Sequence, residues 1–171
     1  MTRLFPALAA AFAGSLCGAP AVAQTQLGES PITPGFWSFP TKKTGAAADI
    51  VAACRNHFEI RFADGHFIGL RMQKRDLGLT QREVEKVGRC TFNRDAQTDG
   101  CEVKFIHADG SILAGTAQIK YSLDGQKIQK MVVTPKMVTD SPVDNAPFDA
   151  FPVRCPDDAV WNILNETSAP K

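Results

Sequence analysis

Repeated Asp-Gly steps between runs of alternating apolar and polar residues are the feature that most limits how this chain can fold. The three clearest cases are Asp64-Gly65, Asp109-Gly110 and Asp124-Gly125. Because glycine tolerates the positive φ of a tight hairpin turn, such a step between two alternating runs favours an antiparallel hairpin. The predicted fold is therefore mainly β, an antiparallel meander or a small barrel or sandwich.

Two segments with a different period predict short helices, which make the fold α+β at the margin. Residues 45–54 are rich in alanine, with apolar side chains at helical spacing, and Thr44 is the predicted N-cap. Residues 156–164 begin with proline and two aspartates, which suit the first turn and the positive end of the helix dipole. The second helix would be amphipathic.

Residues 74–89 leave two structures open. Thr80 and Glu83 fit a capping box and so favour a helical turn. The valines and glycines of the same stretch fit a loop that leads into a strand equally well. Residues 135–156 contain five prolines and are predicted to be extended, with Phe148, Phe151 and Val153 fastening them to the sheet.

The first residues have the pattern of a removable export signal. Arg3 precedes an apolar run, and Ala21-Val22-Ala23 is the small-x-small pattern that signal peptidase reads. Cleavage between Ala23 and Gln24 is expected, which places the protein in a bacterial periplasm or outside the cell. Residues 24–34 would then form a flexible leader, 35–165 a single β-rich domain and 166–171 a loose tail.

The cysteine count agrees with export. Removal of Cys17 with the signal leaves Cys54, Cys90, Cys101 and Cys155. An even number in an exported chain indicates two disulfides, and no C-x-x-C pair points to thiol redox chemistry or zinc. Of the three pairings, Cys90–Cys101 with Cys54–Cys155 is predicted, because the first would join neighbouring strands and the second would tie the two helices together.

The acidic stretch between Cys90 and Cys101 has two interpretations. As a calcium loop that starts at Asp95, it places Gly100 correctly at the sixth position. The eighth position, however, is Glu102 where an apolar residue is needed, and the twelfth is Ile106 where a bidentate glutamate is needed. A turn through residues 94–100, closed by the disulfide, is therefore the prediction.

No catalytic, cofactor-binding or metal-ligating residue is assigned from the sequence. The three histidines, His57, His66 and His107, form no metal-binding spacing, and His57 is expected opposite Met72 on the neighbouring strand. There is no G-x-S-x-G, G-x-G-x-x-G or Walker pattern. No cofactor is implied.

Charge and aromatic content limit the functional classes. Arg3 is the only charged residue before Gln24, so its loss brings the 19 basic residues level with the 18 acidic ones. A neutral chain gives little support to binding of nucleic acid, whose affinity depends on basic residues. The leading prediction is a non-catalytic protein-interaction or envelope-associated module, which binds another protein or stabilises an envelope structure. The alternatives are a lipocalin-like carrier, because nine phenylalanines after the signal could fill a core or line a cavity for a small apolar ligand, and a hydrolase with a histidine-based site.

Overall fold

A computed structural model describes residues 29–74, 80–139 and 145–166 of the chain. The predicted signal and its cleavage site, Cys17, and residues 24–28, 75–79, 140–144 and 167–171 lie outside this part. The elements in chain order are β1 (Gly35–Ser38), α1 (Ala47–Asn56), β2 (His57–Arg61), β3 (His66–Lys74), β4 (Thr80–Asn93), β5 (Thr98–Ile106), β6 (Ile112–Asp124), β7 (Lys127–Met137), β8 (Phe148–Ala150), β9 (Val153–Arg154) and α2 (Asp157–Glu166).

The strands form one antiparallel sheet that curls into a half-barrel. Its order is β8-β7-β6-β5-β4-β3-β2-β1-β9, so the first seven strands are a continuous meander. Strands β8 and β9 lie at opposite ends of this order although only Phe151 and Pro152 separate them in the chain. The segment 148–154 therefore spans the two edges of the sheet, and the Phe151 N–H reinforces the link by donating to the Pro40 carbonyl at 2.8 Å. The predicted fold class is confirmed.

Three of the Asp-Gly steps lie in the hairpin turns that they predicted. Gly65, Gly110 and Gly125 all have positive φ, which explains why glycine occupies these positions. A fourth Asp-Gly step, Asp99-Gly100, ends the turn predicted through residues 94–100, and its assignment to that turn was wrong. The β4–β5 connection is shorter than predicted, with Gln97 at a φ of 53°, and Asp99 already lies in β5.

The helices cover the outer face of the first three strands. Phe36, Phe58 and Leu70 point outward from these strands and pack around Cys54 and Val160 of the helices, in one apolar cluster. The Cys54–Cys155 disulfide lies in this cluster and joins α1 to the residue before Pro156. Helix α1 starts two residues later than predicted, at Ala47, and its N-cap is Ala46 rather than Thr44.

Strand β4 resolves the ambiguous segment in favour of the strand. From Thr80 onward the backbone pairs with β3, so the capping-box pattern of Thr80 and Glu83 forms no helical turn. The first residue of the proline-rich segment, Pro135, lies inside β7. Strand β8 pairs with β7 only at residues 131–133. Pro135 lies beyond this pairing, on a part of the β7 edge that β8 does not cover, where the missing N–H costs no ladder hydrogen bond.

The domain extends further toward the N-terminus than the predicted boundary at Gly35. Ile32 is buried in the core cluster, and the Thr33 carbonyl accepts a hydrogen bond from Trp37 Nε1 at 2.7 Å. Residues 30–33 therefore pack on the sheet. Neither helix in the described part of the chain is long and apolar enough to cross a membrane.

Candidate binding cavity

A cavity of about 380 Å³ lies inside the half-barrel. Strands β2, β4, β5, β6, β7 and β8 contribute inward-facing side chains to its wall, and Phe39 and Phe67 complete it. Its apolar part is formed by Val103, Phe105, Ala117, Ile119, Met131, Val133, Met137 and Phe148. These positions alternate along their strands with outward-facing residues, as expected for a sheet that encloses an interior.

One wall of the cavity is charged. Three residues of β2 and two of β4 lie there, namely His57, Glu59, Arg61, Glu85 and Lys86. Glu59 is the centre of the group, because its Oε1 lies 2.7 Å from Lys86 Nζ and its Oε2 lies 2.5 Å from Arg61 Nη2. The Glu59 side chain is only 3% exposed, so this ion cluster is largely cut off from water.

A β-bulge places two consecutive residues of β4 at the cavity. Val84 pairs with Leu70 and Lys86 pairs with Gly69, so Glu85 is the extra residue between them. Such a bulge breaks the alternation of side chains and redirects them, which is how both Glu85 and Lys86 come to line the cavity.

The electrostatic environment fixes the charge of the buried groups. Burial alone raises the pKa of Glu59, but the adjacent charges of Lys86 and Arg61 outweigh burial and hold that pKa below its ordinary value. Burial and the Lys86 charge lower the pKa of His57 from its ordinary value of 6.5, so His57 is neutral at neutral pH. At neutral pH the cluster therefore contains an ionised Glu59 between two cations.

Arg61 is held by aromatic rings as well as by Glu59. Its guanidinium carbon lies 4.4 Å from the centroid of Phe67 and 5.4 Å from that of Phe39. Its Nη1 donates to Cys90 Sγ at 3.1 Å, which connects the cluster to the Cys90–Cys101 disulfide. These contacts fix the guanidinium at the cavity wall, since cation–π contacts strengthen where water is excluded.

Gly69 is the residue that lets Lys86 reach Glu59. A Cβ at position 69 would lie 2.6 Å from Lys86 Cγ and 2.9 Å from Lys86 Cε. We expect Gly69→Ala to lower the free energy of unfolding by about 1–3 kcal/mol, because the added methyl displaces the lysine stem. Urea denaturation followed by tryptophan fluorescence measures this change.

Gly100→Ala is the matched control for that substitution. Gly100 also lies in a strand, and a Cβ there would meet no atom within 4 Å. This variant should change the stability by no more than about 0.5 kcal/mol in either direction. Equal effects of the two substitutions would contradict the assigned role of Gly69.

A second buried polar group lies beside the cavity. Asp99, which is 2% exposed, accepts hydrogen bonds through Oδ2 from Ser30 Oγ at 2.8 Å and from the Tyr121 hydroxyl. Burial and the Asp99 charge raise the pKa of Tyr121 far above its ordinary value, so Tyr121 stays protonated. This group anchors residues 29–34 to β5 and β6.

The structure separates the residues that the sequence singled out. Asp95 is exposed in the β4–β5 turn and Asp99 points inward, so the predicted alternative of a calcium loop lacks a common centre. In the described residues no three His, Cys, Asp or Glu side chains are grouped so that they could hold a metal ion. Both disulfides, Cys54–Cys155 and Cys90–Cys101, have the pairing chosen from the sequence.

The three histidines lie apart from one another. His66 contacts Asp64 at 2.8 Å on the exposed surface, and His107 is exposed at the β5–β6 turn. His57 lies at the cavity, but its Nε2 is 3.8 Å from Glu85 Oε2, beyond hydrogen-bond distance. The strand register pairs His57 with Arg71, so the expected position opposite Met72 was wrong by one residue.

Sequence reasoning missed Glu59, Arg61 and Lys86, which have the most distinctive environment in the molecule. The signal that could have found the first two is the polar half of the alternation in β2, whose side chains point into the half-barrel. The bulge at Glu85 interrupts the alternation of β4, so the sequence pattern did not predict that the Lys86 side chain lines the cavity. A charged residue on a strand predicts an interior site only when it is known which face of that strand points into the half-barrel.

The chain matches no protein-family model, and neither a curated protein nor a solved structure is significantly similar to it. The features of the site are a mainly apolar chamber of the size of a small ligand and a largely buried ion cluster at one wall.

Proposed function

We propose that this protein is an exported, non-catalytic carrier that binds one small, largely apolar molecule inside the half-barrel. The observation that supports this proposal most strongly is the cavity of about 380 Å³. Ligand sites are typically roughly 300–1,000 Å³, with mainly apolar walls and a few polar groups that orient the ligand. This cavity fits the lower end of that range.

The composition of the wall limits the ligand. Aromatic, methionine and branched side chains from five strands face the chamber, including Phe67, Phe105, Ile119 and Met131. Methionine adapts its shape to irregular apolar surfaces, which suits a compact hydrocarbon or ring system. The charged wall would contact one end of such a molecule.

The compartment is part of the proposal. Two disulfides fit an oxidising environment outside the cytoplasm. With the small-x-small pattern before Gln24, they support export to the bacterial periplasm or beyond it. There the carrier would hold an apolar molecule that water alone dissolves poorly.

The protein-interaction module stays a prediction. Large apolar side chains are exposed on several elements, among them Ile112, Val138 and Trp161. Their positions in β6, after β7 and in α2 supply no single feature that favours a partner over the cavity as the binding site.

Binding of a neutral, environment-sensitive dye such as Nile red tests the proposal. We expect the wild-type protein to bind one dye per chain, with a blue-shifted emission. In Ala117→Phe an aromatic ring enters the cavity from β6, and the affinity should fall by about tenfold or more. Titration by fluorescence measures both affinities.

Thr116→Phe is the control, because Thr116 is exposed on the outer face of the same strand. It should bind the dye within about twofold of wild type. Loss of binding in both variants, or in neither, would place the dye outside the cavity and contradict the carrier function. Native mass spectrometry of the exported protein, with a ligand mass retained by wild type and lost from Ala117→Phe, is the second readout.

A further inference from the structure

We infer that the ligand of this cavity has an uncharged head group that both donates and accepts hydrogen bonds, such as a hydroxyl or a primary amide, and that Glu59 and Arg61 bind this head. This inference rests on the proposed carrier function and adds the chemical class of the ligand. Two observations support it. The charges of the cavity wall cancel, and the inward-facing residues of β2 have buried polar atoms whose hydrogen-bonding capacity is unused.

The charged residues that line the cavity are balanced. Glu59 and Glu85 supply two carboxylates, and Arg61 and Lys86 supply two cations. The histidine of the wall, His57, is neutral at neutral pH because burial and the Lys86 charge lower its pKa. An ionised ligand head would bring an uncompensated charge beside the largely buried pair of Glu59 and Arg61, which costs free energy. The wall therefore favours an uncharged head.

Three buried polar atoms of β2 have no hydrogen-bond partner among the described residues, namely His57 Nε2, Glu59 Oε2 and Arg61 Nε. These residues alternate along the strand, and all three line the cavity. A buried polar atom without a partner is rare in folded proteins and costs free energy. Their concentration on one face of one strand therefore indicates that another molecule completes their hydrogen bonds.

Glu59 Oε2 and Arg61 Nε belong to the two sides of one ion pair. Arg61 Nη2 lies 2.5 Å from Glu59 Oε2, which compensates the charge, but this contact does not have hydrogen-bond geometry. The pair therefore keeps one unused acceptor and one unused donor close together. A hydroxyl or a primary amide can both donate and accept, whereas a carboxylate only accepts and an ammonium only donates. A single uncharged head can thus satisfy both atoms.

The rest of the cavity determines the body of the ligand. The ion pair shares a chamber of about 380 Å³ with the apolar side chains of Val103, Phe105 and Met137. A hydrocarbon body against these side chains would leave the head at β2, where the unused donor and acceptor lie. A medium-chain alcohol or amide has both parts.

Calorimetric titration at neutral pH with four probes tests the inference: n-octanol, its isomer 1-methoxyheptane, octanoate and octylammonium. The isomer has the same atoms as n-octanol and accepts a hydrogen bond, but it cannot donate one to Glu59. A site that hydrogen bonds a hydroxyl rejects an analogue without that donor, because its own polar groups then stay unpaired. On wild-type protein we expect n-octanol to bind at least about tenfold more tightly than each of the other three probes.

Glu85→Gln tests the charge balance. Glu85 is 26% exposed and its nearest charged partner is His57 at 3.8 Å, so the amide should not disturb the fold. Removal of this carboxylate leaves one excess positive charge at the wall. The octanoate affinity should therefore rise by about threefold or more, with the n-octanol affinity within about twofold of wild type.

Glu102→Gln is the matched control, since Glu102 is exposed on the outer face of β5. It should bind all four probes like wild type. If the protein binds Nile red, equal binding of n-octanol and 1-methoxyheptane, tighter binding of a charged probe, or no binding of n-octanol would overturn the uncharged head and leave the carrier function standing. An octanoate affinity that does not rise in Glu85→Gln would contradict the charge balance. Absence of binding by all four probes and by Nile red would overturn both proposals.

Discussion

Glu59→Gln should lower the free energy of unfolding by about 3–5 kcal/mol near neutral pH, the largest effect expected of any single substitution in this protein. The amide keeps the shape of the side chain but removes its charge, so Lys86 and Arg61 are left buried beside a neutral group. Urea denaturation at pH 7 measures the loss. Since a domain of this size has a stability of roughly 5–15 kcal/mol, the variant should still fold.

The sign of the pH dependence follows from the lowered pKa of Glu59. A carboxylate whose folded-state pKa is depressed stabilises the protein above the pKa of the unfolded chain, about 4.3 for glutamate. This stabilisation is lost as the pH falls through the folded-state value. The difference in stability between wild type and Glu59→Gln should therefore be full at neutral pH and shrink in acid below about pH 4.3.

Glu102→Gln is the control for this substitution, because Glu102 is exposed on the outer face of β5. Its stability should lie within about 0.5 kcal/mol of wild type across the same pH range. A loss for Glu59→Gln that equals that of the control would contradict the buried ion cluster. A difference that grows in acid would contradict the assigned direction of the pKa.

The double variant Cys54→Ala/Cys155→Ala should lose about 4.7 kcal/mol, because its disulfide closes a loop of about 100 residues and limits the unfolded chain. The observed separation between these two cysteines is 101 residues. Both side chains are buried where the helices meet the outer face of the sheet, so the helices should detach before the sheet unfolds. Urea denaturation followed by circular dichroism measures the loss.

The second disulfide provides the comparison within the same chain. Cys90–Cys101 has a sequence separation of 11, and on the same chain-entropy argument Cys90→Ala/Cys101→Ala should lose about 3 kcal/mol. The hairpin register, which pairs Cys90 directly with Cys101, should persist without the bond because the backbone ladder extends on both sides. A larger loss for this pair than for Cys54–Cys155 would show that loop length does not control the stabilisation.

Local signals in the sequence were sufficient for much of the fold. The Asp-Gly steps at residues 65, 110 and 125 need only a positive φ at glycine, a property of the residue itself. The turn predicted at Asp99 was wrong, because the Asp99 carboxylate instead accepts hydrogen bonds from Ser30 and Tyr121 inside the sheet. The turn is shorter, and Gln97 adopts its positive φ. Turn chemistry predicts a hairpin, but the partners of a side chain shift its boundaries.

The cavity could not be predicted for a geometric reason. Its charged wall depends on the bulge at Glu85, on the absence of a side chain at Gly69 and on the segment 148–154, whose two short strands pair with opposite edges of the sheet. Each feature brings together residues that are distant in sequence. The alternation of apolar and polar residues along one strand does not predict which distant residues lie beside it in the folded sheet.

The sequence by itself determined both helices, most of the hairpins and the pairing of the two disulfides, because these depend on turn residues, residue period and the number and placement of cysteines. The tertiary structure alone decided which face of β2 is the interior. Phe58 and Ile60 face outward because α1 and α2 cover them, and so Glu59 and Arg61 face the cavity. An alternating strand defines two faces, but the elements packed against each face decide which of them lines the cavity.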